Sequence, residues 1–264
     1  MKILVLVKFV PESTAVIKVR PDGGGIETKG VKFLMNPFCE MAVEAALRAK
    51  EKVAGAEVTA LTVGPAASVD ALRTALAMGV DHAVHLCDDG FAGIDELTTA
   101  RLIAKAIADR GFDLIFAGKI AIDYDSGQLG PALAELLDIP HVGAVQNIEW
   151  ADDHQSLTAR RRIEGAEEVV EVRLPCLLTA EKGLNEPRYP SLPKLMKAKK
   201  APIETLDGAA LGFAASDLAP DACPTRMGEF TPPPPRPPGR ILEGTPEEAV
   251  KELVRILHEE EKLI

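Results

Sequence analysis

The residues best suited to chemistry lie in a short polar loop between two predicted elements. Gly127 allows a backbone to approach a phosphate closely, and Ser126 and Gln128 add a hydroxyl and an amide. A helix that starts beside them offers unpaired N–H groups and the positive end of its dipole to a negative ligand. The spacing predicts a phosphate cradle that includes Asp125, with Asp123 placed to bond a ribose or to cap the loop. An ordinary Asp/Ser helix cap explains the same residues with similar weight.

This loop matches neither of the two common phosphate-binding motifs. The sequence contains no GxxxxGK[ST] loop and no GxGxxG fingerprint. A second candidate is MNPFCE at 35–40, where Asn36 and Cys39 begin a predicted helix at a similar strand edge. A capped helix start with a buried cysteine is the stronger local interpretation of that segment.

Residues that could catalyse a reaction by themselves are few. The five histidines, at positions 82, 85, 141, 154 and 258, have no metal-binding spacing, and there is no GxSxG serine motif. The aspartate pairs at 88–89 and 152–153 fall in predicted turns. We therefore expect no catalytic residue and no metal site, and a binding or redox-carrier role in which a cofactor holds the chemistry.

Composition narrows the class of protein further. The 264 residues suffice for one large domain, or one domain with an extension, and 47% of them are hydrophobic. A formal net charge of −10 argues against nucleic-acid binding, because phosphate contacts need clustered Lys and Arg. The four cysteines are far apart and indicate reduced thiols. No run resembles a signal peptide or reaches the ~20 apolar residues of a membrane span, so we expect no membrane insertion and a cytoplasmic location.

The elements that must position these residues alternate along the chain. Continuous apolar runs predict buried strands, and amphipathic segments predict helices that open after Asn36, Ser68 and Asp95. The strands are expected at 3–10, 56–64, 82–86 and 112–118, and the helices at 37–53, 69–78, 96–110 and 126–137. This alternation predicts an α/β fold with a doubly wound, mostly parallel sheet. Three further strands are expected at 141–150, 157–164 and 167–180, with an antiparallel appendix near 157–173.

The segment EKGLNEPRYPSLPKLMKAKK, from Glu181 to Lys200, is a second functional candidate. Three prolines and a glycine exclude a regular helix or a central strand at its start. Leu184, Tyr189 and Leu192 are apolar groups that a plain surface loop does not need. The pattern indicates a rigid loop that presents apolar side chains to another molecule.

The sequence pattern changes after Lys200. TPPPPRPPG at 231–239 predicts a stiff polyproline-type spacer. Thr245, Pro246 and Glu248 then form the N-cap, first position and capping box of a helix expected at 246–262. Its apolar face must dock on the rest of the chain or on a partner, and the sequence leaves both open.

Several of these segments together are similar to one family. LNEPRYPSLPKLMKAKK, MNPFCE, RTALAMG at 73–79 and the GKxAID…GQ loop closely resemble the electron transfer flavoprotein beta subunit, in the right order over at least residues 1–200. The resemblance implies a Rossmann-like, adenine-nucleotide-binding domain at 1–200. It also implies that 201–264 is an extended C-terminal arm that packs on a partner subunit.

The same resemblance implies partners and roles for individual residues. The partners are an alpha subunit, which carries most of the contact to a main FAD, and flavin dehydrogenases such as acyl-CoA dehydrogenases. The recognition loop at 181–192 would dock the dehydrogenase, with Leu184 matching the leucine that fills its pocket. The partner-binding positions are Leu184, Asn185, Glu186, Pro187, Arg188 and Tyr189. The positions implied for a buried nucleotide are Leu6, Asn36, Pro37, Phe38, Cys39, Val63, Asp123, Asp125, Ser126, Gly127, Gln128, Leu129 and Gly130.

One departure from the family pattern bears on the nucleotide. Mitochondrial-type members carry a loop resembling NQTGQ where this chain has Gly127, Gln128, Leu129, Gly130 and Pro131. The QxGP form is more similar to members from anaerobes, which hold a second FAD in place of AMP and bifurcate electrons from NADH. AMP and a second FAD therefore both stay open, and so does a stand-alone adenine-nucleotide-binding module of the same fold.

Overall fold

The computed structural model describes residues 1–236 and 238–264, so Pro237 of the predicted proline spacer lies outside the described residues. The described part contains eleven strands and six α-helices. The strands are β1 (Lys2–Leu6), β2 (Phe9–Pro11), β3 (Phe33–Met35), β4 (Glu57–Val63), β5 (His82–Leu86), β6 (Leu114–Gly118), β7 (His141–Trp150), β8 (Ser156–Ile163), β9 (Ala166–Arg173), β10 (Cys176–Ala180) and β11 (Glu204–Leu206). The helices are α1 (Pro37–Lys52), α2 (Val69–Met78), α3 (Glu96–Ile107), α4 (Leu129–Leu137), α5 (Leu192–Ala198) and α6 (Pro246–Arg255).

Nine strands form one large sheet in the order β11-β5-β4-β1-β6-β10-β7-β8-β9. Every pair from β11 to β7 is parallel, and the hairpins β7-β8 and β8-β9 are antiparallel. Side chains of α1 and α2 pack on one face and those of α3 and α4 on the other. The predicted doubly wound sheet with an antiparallel appendix is confirmed, because helices cover both faces of the parallel part.

The predicted first strand, 3–10, is wrong in its extent. Only β1 lies in the main sheet, where it pairs with β4 and β6. The chain leaves the sheet after Leu6, and β2 pairs with β3 in a separate two-stranded sheet. The glycine-rich segment 20–30 lies in this excursion, as the sequence predicts. The residues before and after the end of β1 are both apolar and have the same pattern. The sequence pattern therefore does not show where the chain leaves the main sheet.

The predicted strand at 167–180 is two strands. β9 ends the antiparallel edge at Arg173, whereas β10 lies in the middle of the sheet between β6 and β7. Pro175 lies between them and has no N–H to donate to a ladder, so a single continuous strand is unfavourable there.

Two predicted helices differ from the structure at one end. The helix expected at 126–137 begins at Leu129, because Asp125 and Gly127 have left-handed backbones, with φ of 55° and 64°. The helix expected to reach Arg110 ends at Ile107 and continues only as a turn. Ser68 precedes α2 as predicted but makes no side-chain capping bond, because a 3₁₀ turn at Ala66–Ser68 already gives it a helical backbone.

The sheet also takes a strand from beyond residue 200. β11 pairs in parallel with β5 at the edge, and Arg110 holds Glu204 by two hydrogen bonds of 2.8 and 2.6 Å. No helix among the described residues combines the length and the apolar character needed to cross a bilayer.

Candidate functional site

The candidate nucleotide site lies at the carboxyl edge of the parallel strands. β1 ends at Leu6, β4 at Val63 and β6 at Gly118. β4 and then β5 are added on one side of β1, whereas β6 is added on its other side, so the strand order reverses at β1. Ligands of open α/β sheets bind in the crevice at such a reversal of strand order. The Leu6 side chain itself is buried in the core.

Asn36 joins the start of α1 to the loop that follows β6. Its side chain is fully buried and donates to the Ile120 carbonyl at 2.8 Å and to Cys39 Sγ at 3.2 Å. Its Oδ1 accepts from the Ile122 N–H at 3.2 Å. Asn36 is the N-cap residue of α1, with Pro37 at the first position, as predicted, but its side chain makes no capping bond. The amide group therefore fixes the loop after β6.

Gly118 lets the first turn of α1 rest on the end of β6. A Cβ at this position would lie 2.9 Å from Phe38 Cβ and 3.1 Å from the Cys39 nitrogen. Only a glycine allows this approach, which brings MNPFCE against the loop after β6. Burial raises the pKa of the Cys39 thiol more than its hydrogen bonds lower it, so this thiol remains protonated at neutral pH.

Two lysines on the rim of the crevice are paired with carboxylates. Lys8, just after β1, contacts Asp123 at 2.8 Å and lies 4.5 Å from the centre of the Tyr124 ring. Lys119 contacts Glu181 at 2.6 Å. Because both lysines are neutralised, a phosphate in this crevice would depend chiefly on backbone N–H groups.

The cradle residues themselves lie before α4 and face a neighbouring helix. The Ser126 hydroxyl donates to Glu96 Oε1, and the backbone N–H of Gln128 donates to Glu96 Oε2 at 3.1 Å. Glu96 is the first residue of α3. Asp125 and Gly127, with their left-handed backbones, shape the turn and leave the start of α4 open to this carboxylate.

The recognition loop at 181–192 is held along α1 by one arginine. Arg188 donates to Glu44 through Nε at 2.8 Å and to Glu51 through Nη1 at 2.7 Å. Burial tends to raise the pKa of Glu44, but hydrogen bonds from Arg188 and Arg48 outweigh it and leave that pKa below its ordinary value. Asn185 adds a bond from Nδ2 to the Met41 carbonyl at 2.9 Å. These bonds hold the loop against α1.

Leu184 is half-buried and faces its own domain. It packs against the core and, with Ala45 and Trp150, lines a surface pocket of about 340 Å³. Asn185 also lines this pocket. Leu184 therefore contacts the core on one side and borders an open pocket on the other.

The exposed apolar side chains of this region lie further along the chain. Tyr189 is 98% exposed, Leu192 72% and Met196 54%, and Leu195 is also exposed. Leu192 and Met196 lie about one turn apart on α5, which begins three residues after Tyr189. We call Tyr189, Leu192, Leu195 and Met196 the apolar tip. Exposed apolar groups that lie this close in sequence are a candidate contact surface.

The C-terminal helix has the predicted capping box. The Thr245 hydroxyl accepts from the Glu248 N–H at 3.3 Å, and Glu248 accepts from the Thr245 N–H at 2.8 Å. None of the residues of α6 is buried, and Val250 and Leu253 are exposed. The helix ends at Arg255 and passes into a π-helical turn, Ile256–Glu260, within the predicted range 246–262.

Within residues 1–236 and 238–264, no group of His, Cys, Asp and Glu side chains could hold a metal ion. The four cysteines are free thiols. His85 and His141 have pKa values lowered by burial, so both rings are neutral at pH 7.

Sequence reasoning missed Lys8, Tyr124 and Glu96. Lys8 follows a predicted strand and Glu96 opens a predicted helix at the same sheet edge, so position in the pattern could have suggested both. Their partners are remote in sequence, and no local spacing indicates them.

Comparison with known proteins gives a consistent result. A family model described as "Electron transfer flavoprotein domain" matches residues 23–211. The electron transfer flavoprotein subunit beta of Bacillus subtilis (strain 168) is 41% identical over 267 residues, covering 100% of both chains. That of Thermoanaerobacterium thermosaccharolyticum is 40% identical over 259 residues, 98% of each chain. The subunit of Mus musculus is 42% identical over 214 residues, covering 80% of this chain and 83% of that protein.

The doubly wound sheet, the ordered motifs at its carboxyl edge and the full-length similarity agree with one another. The chain therefore belongs to the electron transfer flavoprotein beta subunit family, and its function lies in electron transfer.

Proposed function

We propose that the chain passes electrons between flavin dehydrogenases and a quinone-reductase or ferredoxin/flavodoxin-type acceptor, as one half of a heterodimer with an alpha subunit. The observation that carries this proposal is the separation of two surfaces on one rigid domain. The recognition loop starts beside the crevice at the Lys119–Glu181 pair and is fixed by Arg188 to Glu51. Glu51 is 14 residues beyond the start of α1, which is about 21 Å along the helix axis. A carrier needs these two surfaces and no catalytic group of its own.

The crevice suits the phosphate-bearing part of an adenine nucleotide. The backbone N–H groups of Ser126, Gly127, Leu129 and Gly130 find no acceptor among the described residues. The turn that exposes these N–H groups favours glycine at position 127, whose φ is 64°. These donors could hold the phosphate of AMP or the pyrophosphate of a second FAD. FAD, when bound between the subunits, supplies the reversible redox chemistry, and this chain contributes binding and orientation.

The apolar tip is the surface that would dock a dehydrogenase. The resemblance to the family points to Leu184, which is half-buried against the core, and the apolar tip adds more exposed groups on the same loop and on α5. Leu192 lies at the first position of α5, is largely exposed, and is carried by a loop that Arg188 and Asn185 hold in place. A rigid apolar anchor loses little conformational entropy on binding, which favours fast and reversible docking.

Substitution of Leu192 tests the docking surface. We expect Leu192→Ala to weaken the dehydrogenase complex by ~2 kcal/mol, the scale of an interface hot spot, with unchanged flavin content. Leu184→Ala should instead lower the free energy of unfolding, because Leu184 packs on the core. The measurement is the dependence of the flavin reduction rate on dehydrogenase concentration for the purified heterodimer. An unchanged rate in Leu192→Ala would reject the docking assignment.

The arm, residues 201–264, would pack on the alpha subunit beyond β11. The exposed Val250 and Leu253 of α6 form an apolar face that its own domain does not bury. A chain that ends at residue 230 keeps β11 and lacks α6, so we expect it to fold and to copurify poorly with the alpha subunit. Equal recovery of the alpha subunit with both chains would exclude this role for the arm.

Extraction of the purified heterodimer distinguishes the two nucleotides. Two FAD per heterodimer would support NADH-dependent electron bifurcation, and one FAD plus one AMP would reject it. The alternative, a stand-alone adenine-nucleotide-binding module, explains the crevice but leaves the apolar tip and the arm without a role. It predicts that the chain purifies without a flavin-bearing subunit.

A further inference from the structure

The carboxylate of Glu96 occupies two donors at the start of α4. Its Oε1 accepts from the Ser126 hydroxyl, and its Oε2 accepts from the backbone N–H of Gln128 at 3.1 Å. Thirty residues separate Glu96 from Ser126, so this contact comes from the packing of α3 against α4. The first turn of α4 contains no acidic side chain of its own, and Glu96 supplies the negative charge that a helix N-terminus favours.

Glu96 differs from two other carboxylates on the rim. Asp123 is paired with Lys8 and Glu181 with Lys119, whereas Glu96 makes no salt bridge among the described residues. The Glu96 carboxylate is bound by the Ser126 hydroxyl and the Gln128 N–H, without a cation. It therefore uses the donors that an anionic ligand of the crevice would use. A phosphate that approached the same donors would meet it and be repelled.

The backbone around Glu96 is fixed independently of this contact. Asp95 Oδ1 accepts from the Thr98 N–H at 2.8 Å, and Asp95 Oδ2 accepts from the Thr225 N–H and hydroxyl at 3.0 Å. Asp95 thus caps the first turn of α3 and also binds Thr225, in the segment after β11. The Glu96 side chain can therefore swing away without any movement of its helix, and only its two hydrogen bonds must break.

We propose that Glu96 sets the affinity of the crevice for phosphate-bearing nucleotides, by competing with the phosphate for the Ser126 hydroxyl and the Gln128 N–H. This inference rests on the proposed nucleotide site and adds the residue that tunes it. Glu96 would lower the preference of the site for AMP over adenosine, since adenosine has no phosphate to compete.

The test is calorimetric titration of the full chain in its heterodimer, after removal of bound nucleotide, with AMP and with adenosine. For Glu96→Gln and Glu96→Ala we expect AMP to bind about tenfold more tightly, which corresponds to ~1.4 kcal/mol, with adenosine binding unchanged. Glu135→Gln is the matched control. It removes one negative charge from exposed α4 surface without touching Ser126 or Gln128, so it should leave both ligands unaffected.

The possible outcomes separate the inference from the proposed function. AMP that binds wild type and both Glu96 variants equally would overturn the competition and leave the nucleotide site intact. Equal tightening of AMP and adenosine would also overturn it, because Glu96 would then act through the fold. If neither ligand binds any of the proteins, the nucleotide site itself is rejected, and the inference with it. Two substitutions are used because Glu96→Gln removes the charge and keeps the size of the side chain. It therefore remains a valid test if Glu96→Ala lowers the stability of the protein.

Discussion

Replacement of Asn36 separates its role as a brace for the loop after β6 from a role as a simple helix cap. The side chain is fully buried and makes three hydrogen bonds, two of which reach Ile120 and Ile122. Asn36→Ala leaves the Ile120 carbonyl and the Ile122 N–H without these partners. Each buried group that loses its hydrogen bond costs roughly 1–3 kcal/mol, and both groups are only partly buried, so we expect a total of about 2 kcal/mol.

Asn36→Asp should be worse than Asn36→Ala at neutral pH. The introduced carboxylate can still accept from the Ile122 N–H, but it cannot donate to the Ile120 carbonyl, and its charge is buried. Burial should raise the pKa of that carboxyl. The extra loss should therefore be present above this pKa and diminish as the pH falls through it, because the protonated group can donate again.

Urea unfolding followed by circular dichroism measures these free energies, with Asn147→Ala as the control. Asn147 is an exposed asparagine on β7 whose side chain makes no hydrogen bond within the described residues, so its substitution should stay within about 0.5 kcal/mol of wild type. Nucleotide content after purification should fall in both Asn36 variants, since the loop loses its brace. If Asn36→Ala unfolds like Asn147→Ala, the bonds of Asn36 do not stabilise the loop.

Three further substitutions or conditions have expected outcomes. Gly118→Ala should cost roughly 1–3 kcal/mol of unfolding free energy, because its Cβ would collide with the backbone of the first turn of α1, and equal stability would show that this turn can shift freely. The depressed pKa of Glu44 means that its bonds to Arg188 stabilise the folded state fully above about pH 4.5 and lose this effect as the pH falls through the native pKa. The stability difference between wild type and Glu44→Gln should therefore be constant above that pH and shrink below it in urea titrations, and a difference that grows on acidification would contradict the assignment. Thr245→Ala should make the amides of α6 exchange several-fold faster in hydrogen-exchange measurements while those of the main sheet are unaffected, because the capping box is lost.

The sequence alone determined the fold class and the positions of many of its helices and strands. β5 and β7 have the predicted bounds, and α1, α2 and α3 begin where the sequence places them. These features depend on neighbouring residues, since apolar period, caps and terminal glycines act within a few positions. The same local logic identified the capping box of α6.

Tertiary structure decided how the site is assembled. The bonds from Asn36 to the loop after β6, from Arg188 to Glu44 and from Glu96 to Ser126 join residues 84, 144 and 30 positions apart. Such contacts depend on the strand order and on which helices meet at the carboxyl edge, and no local pattern encodes them. For the same reason the sequence indicated that the loop presents apolar groups, and only the fold decided that Leu184 is half-buried against the core while Leu192 is exposed.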